Sequence, residues 1–97
     1  DDLTKKFVAA YEKQYSDTPN QFAADAYDAI YTIKAAAEAG NVNSGMSVSD
    51  MCDALKAAMT KITVTGLTGT ITWTKDGEPS KTPKAVEIKE GKYVSMQ

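Results

Sequence analysis

A chain of 97 residues has room for one small domain and not two, and a core of that size buries only a modest share of the surface. Its 11 basic and 13 acidic side chains leave a net charge of −2, which exerts no pull toward phosphate backbones or anionic membranes. There is no histidine and a single cysteine, Cys52, which excludes an internal disulfide, Ser–His and Cys–His catalysis and most zinc sites.

Residues 3–15, LTKKFVAAYEKQY, set Leu3, Phe7, Ala10 and Tyr11 on one face, at the spacing of an amphipathic helix. Asp1 and Asp2 suit its N-terminus as cap and dipole partners. SDTP then breaks the pattern, and Pro19 prevents its continuation. The chain starts at Asp1 without an initiator methionine, so it reads as processed or as a fragment.

A second helix is expected to start at Thr18, Pro19 and Gln21, read as cap, first helical residue and capping-box partner. At about 100° per residue, Phe22, Ala26, Ala29, Ile30, Ile33 and Ala37 form one apolar stripe. That stripe reads mainly as core, in a helix packed on more than one side. Asp25 and Asp28 share a flank three residues apart and read as a solvated face, not an acid–base pair. Gly40 is expected to cap the helix end. After the polar loop of residues 41–47, Ser47 and Asp50 resemble a capping pair. Met51, Leu55, Ala58, Met59 and Ile62 make a third amphipathic stripe, read as core. Cys52, in the same helix, reads as a small buried hydrophobe.

Beyond Ile62 the chain becomes rich in threonine and glycine. Residues 70–73 alternate as a strand, with Ile71 and Trp73 on one face. Asp76-Gly77 and Glu90-Gly91 signal turns. Residues 84–89 alternate again, and residues 92–96 form a last strand that pairs with them. The expected class is α/β: three helices, then three short strands ending in a hairpin. A lone hairpin is marginal in water, and the helices offer more apolar surface than the strands cover. Partner surface is therefore missing.

The chemistry reads mostly as absences. Asp50 and Asp53 suit the dipole of the third helix. Residues 75–79, KDGEP, lack the alternating ligands of a calcium loop. TGLTGT lacks the lysine and following helix of a phosphate loop. The lysines do not interleave with aromatics, so no nucleic-acid surface is expected. No catalytic residue, metal or cofactor is expected, and the chain does not read as an enzyme.

The order of these features resembles the C-terminal part of periplasmic substrate-binding proteins of the leucine/isoleucine/valine-binding type. The residues that carry the resemblance are Phe7, Tyr11 and Tyr15, then Pro19, then Phe22-Ala23 with Tyr27-Asp28-Ala29. Asp53-Ala54-Leu55, Gly66, Gly69-Thr70-Ile71, Trp73 and Asp76-Gly77-Glu78-Pro79 follow. It spans about residues 5 to 94. Trp73-Thr74 departs from the Phe-Asp that relatives often show.

The resemblance implies a fragment of a two-lobed, type I α/β fold that closes on a small ligand and serves an ABC importer. About residues 1–79 would belong to one lobe. Residues 80–83 would be the last crossover, and the strands in 80–97 would return toward the other lobe. It implies that Phe22 touches the ligand, a branched-chain or other amino acid, with Gln21 beside it. Tyr27 and Asp28 would be scaffold. It implies an ABC permease as partner and an extracytoplasmic location, in the periplasm or as a cell-surface lipoprotein. The fragment alone would lack most of the pocket and would self-associate through its open helix faces. Two other readings stand beside this one: a sensory ligand-binding domain on the same scaffold, and an unrelated small α+β interaction module.

Overall fold

The chain folds in the order α1 (Asp2–Tyr15), α2 (Gln21–Ala39), α3 (Val48–Met59), β1 (Val64–Gly66), β2 (Gly69–Ile71), β3 (Val86–Lys89) and β4 (Lys92–Ser95) in a computed structural model that describes residues 1–96. The α/β class and the order of helices before strands are as expected. Among the described residues the strands number four, in two antiparallel pairs, β1 with β2 and β3 with β4. β1 has no alternation to reveal it; it exists because Val64 to Gly66 pair with Ile71 to Gly69 across a two-residue loop. The expected strand at 70–73 ends early, and Trp73 instead bridges Pro79 around the Asp76-Gly77 turn. Gln97, the last residue of the expected second part, lies outside the described residues.

Local caps explain most boundaries. Asp1 accepts from the Thr4 N–H at 2.8 Å and starts α1. Ser47 accepts from the Asp50 N–H at 3.1 Å and starts α3, as its capping spacing predicts. The start of α2 differs from expectation. Asn20, not Thr18, is the cap, accepting from the Ala23 N–H at 3.0 Å, and Gln21 is the first helical residue. Asn caps as well as Ser or Thr, and Pro19 disfavours helical geometry at Thr18. Gly40 does cap α2, but the left-handed turn falls on Asn41, at φ 53°. Glu90 and Gly91, at φ 52° and 76°, turn β3 into β4 as a two-residue hairpin.

The core is small: Ala36, Ala58, Val64 and Ile71. It lies where α2, α3 and the β1–β2 hairpin meet. Met51, Leu55, Met59 and Ile62 of the third stripe are half-buried around it. Cys52 is exposed, against expectation, because it sits about 100° from Met51 and off that stripe.

The main correction concerns α2. Its inward residues are Asp28, Thr32 and Ala36, one turn apart. The apolar stripe faces outward instead: Phe22 is 70% exposed, Ile30 66% and Ile33 56%. Periodicity locates an apolar face correctly but does not say that this chain covers it.

α1 buries no residue. It meets α2 through aromatic rings. Tyr15, Tyr11, Phe7, Tyr27 and Tyr31 form a ladder with successive centroids 4.8, 6.0, 5.1 and 4.9 Å apart. Only the Phe7–Tyr27 step crosses between the helices, edge to face. The β3–β4 hairpin is exposed at every residue. The radius of gyration is 16.4 Å, against about 13 Å for a compact chain of this length.

Candidate functional site

The expected site residues lie at the head of α2. Gln21 and Phe22 occupy its first turn, and both are exposed. Asp25, three residues on, shares the Phe22 side of the helix surface. Its carboxylate meets the Lys81 ammonium at 3.4 Å. This pair ties the connection after Pro79 to α2 and forms one rim of a groove of about 360 Å³. Ala29 and Ile33 of α2, Met59 of α3, and Ile71, Trp73 and Pro79 line its apolar floor and walls. Phe22 stands one turn ahead of that rim. Neither Phe22 nor Gln21 lines this groove.

The sequence reading brought forward Phe22 and Gln21 and missed the groove. Asp25 and Lys81 are 56 residues apart, so no local spacing announces their pairing. Trp73 gave the better signal, as a lone tryptophan in a short alternating segment.

Asp28 is a buried, hydrogen-bonded carboxylate, and this overturns the expectation of a solvated face. It is 3% exposed. One carboxylate oxygen accepts from the Leu67 N–H at 2.8 Å. The other accepts from the Thr68 N–H at 2.8 Å and the Thr68 hydroxyl at 2.6 Å. The loop between β1 and β2 thus turns two N–H groups and a hydroxyl onto one anion. Gly66 makes the approach feasible: a Cβ there would overlap the Asp28 carboxylate. Burial alone would raise the Asp28 pKa. The Thr68 hydroxyl, the Thr68 and Leu67 N–H groups and the Lys81 charge outweigh it and hold the pKa below its ordinary value of 3.8. Asp28 accordingly stays ionised at neutral pH and serves as a clasp between α2 and the hairpin. The structural role that the resemblance implied for Asp28 is the one it has.

A second groove, of about 460 Å³, runs between α2 and the β1 strand, with Tyr27, Tyr31, Lys34 and Glu38 along one side and residues 63–66 along the other. No cluster of three or more His, Cys, Asp or Glu side chains that could hold a metal occurs among the described residues. No helix among them is long and apolar enough to cross a membrane.

The arrangement offers an exposed aromatic residue at a helix start, an ion-paired rim and an apolar groove. It offers shape and apolar contact for a small molecule. No curated protein and no solved structure matches the chain. A family described as "Periplasmic binding protein" matches residues 1–92. That span takes in all three helices, the clasp, the Trp73 groove and the β3 strand: the chain belongs to the periplasmic binding protein family.

Proposed function

We propose that the chain is the C-terminal part of a two-lobed solute-binding protein of the leucine/isoleucine/valine-binding type, which delivers a small ligand to an ABC permease. The ligand is a branched-chain or other amino acid. It sits between the lobes, and closure of the lobes, not covalent chemistry, is the working step. Phe22 packs against the ligand's apolar side chain, with Gln21 beside it. The protein works outside the cytoplasm, in the periplasm or as a cell-surface lipoprotein.

The observation that carries this reading is the orientation of α2. A helix that buries Asp28 and Thr32 while exposing Phe22, Ile30 and Ile33 needs a further apolar surface. The sheet and opposite wall of a two-lobed protein are such surfaces. The fully exposed β3–β4 hairpin supports the division into residues 1–79 for one lobe and 80–97 for the crossover and the strands beyond. Family membership sets aside the reading as an unrelated interaction module.

Calorimetric titration tests the proposal. The 97-residue chain should give no binding heat with leucine, isoleucine or valine at micromolar concentrations. The same chain joined to the upstream coding sequence of its gene should bind one of them or a related amino acid. In that longer protein Phe22→Ala should weaken binding about tenfold or more, as loss of a buried aromatic anchor does. Micromolar binding by the 97-residue chain, or no effect of Phe22→Ala, would sink the reading.

A further inference from the structure

We infer that Lys81 is a positioning residue for the ligand site: residues 79–81 form a strap that moves as one body with the head of α2, and the bend toward the other lobe begins after Lys81. The ligand role rests on the function proposed above, whereas the seating of the strap rests on bonds within this chain. Those bonds form a closed ring. Asp28 on α2 accepts from the Leu67 and Thr68 N–H groups. The chain runs on through β2 to Thr72. There the Thr72 N–H donates to the Ser80 hydroxyl at 3.0 Å, and the Ser80 N–H donates to the Thr72 carbonyl at 2.9 Å. The two hydroxyls lie 2.7 Å apart, and Trp73 bridges Pro79 beside them. Lys81 then closes the ring on Asp25 at 3.4 Å, one turn before Asp28 on the same helix.

An ion pair as open to water as Asp25–Lys81 is weak by itself. Here the Ser80 bonds already hold the neighbouring backbone beside α2, so Lys81 loses less freedom on pairing. The Lys81 charge also favours the ionised Asp28 carboxylate, which joins the strap to the clasp. Phe22 lies one turn ahead of Asp25 on the helix. A strap that shifted by itself would break the Thr72–Ser80 bonds or the Asp25–Lys81 pair. One that moves with α2 keeps both and carries Phe22 with it. Ser80 and Lys81 thus belong with residues 1–79, and Thr82 and Pro83 are left for the bend.

Trp73 reports on the strap, because it is the sole tryptophan of the chain and lines one groove with Pro79 and Lys81. In the 97-residue chain, Lys81→Ala should raise the acrylamide quenching constant of Trp73 about twofold, and Asp25→Ala should match it. The double variant should be no worse than either single one, and Lys81→Arg should stay at the wild-type value. In the longer protein, Lys81→Ala should weaken binding of leucine, isoleucine or valine about threefold, with no further loss in a Phe22→Ala background. With Cys52→Ser, joining Asp25→Cys to Lys81→Cys by a short bismaleimide should leave binding no weaker than before the link forms, since lobe closure moves the two together. Unchanged quenching in Lys81→Ala, additive quenching in the double variant, an undiminished Lys81→Ala effect beside Phe22→Ala, or loss of binding on cross-linking each overturns the inference. A longer protein that binds no amino acid sinks the proposed function instead, and the quenching series then decides the seating of the strap by itself.

Discussion

Gly66→Ala is expected to cost about 3 kcal/mol of stability, far more than an exposed strand glycine would. The added methyl group has no free space, because it enters the volume of the Asp28 carboxylate. That carboxylate cannot swing aside without giving up three hydrogen bonds, two from backbone N–H groups of the loop. Backbone conformation is not the cause: the glycines at positive φ are Gly69, Gly77 and Gly91. Denaturant titration checks the cost, and a double-mutant cycle checks the mechanism. In an Asp28→Ala background, Gly66→Ala should become nearly neutral, since the clash partner is gone. Additive effects would show that the glycine acts through something other than the clasp.

Asp28→Ala should itself cost about 3 kcal/mol, because it leaves the Leu67 and Thr68 N–H groups without their acceptor and removes a charge-assisted contact. The pH dependence identifies the charge. The folded pKa of Asp28 lies below its ordinary value of 3.8. The unfolded chain therefore takes up the proton first on acidification. The clasp's contribution is fully present above the ordinary value and is lost as pH falls through the depressed folded value. The urea midpoint of the wild-type chain should drop over that acid range, and that of Asp28→Asn should drop less. Parallel curves for the two proteins would remove the charged clasp from the account.

What was legible in advance follows from how local each signal is. The caps at Asp1 and Ser47 and the Glu90-Gly91 turn involve residues three or fewer apart, and their chemistry reads directly from their order. The stripe of α3 was read correctly because its apolar residues cover one another within this chain. The burial of Asp28 was not legible, because its partners lie 39 and 40 residues away and two of the three are backbone N–H groups, which carry no residue-type signature. Gly66 was the one hint, visible only once its distance to α2 is known. The same holds for the groove beside Trp73, whose rim pairs Asp25 with Lys81 across most of the chain. The stripe of Phe22, Ile30 and Ile33 failed differently. Its periodicity was right and its partner was assumed.

The clasp also sets an order of assembly. Its bonds close a loop of about 40 residues that contains the rest of α2, all of α3 and the β1 strand. Drawing the ends of such a loop together is entropically unfavourable, and forming α3 and its packing on α2 first shortens the effective span. The carboxylate would then meet the β-loop late, after the barrier. In rate measurements across denaturant, Asp28→Ala should accelerate unfolding and leave refolding nearly unchanged, whereas Ala58→Gly, at the buried position of α3, should slow refolding. Slowed refolding in Asp28→Ala would place the carboxylate in the nucleus and reverse that order.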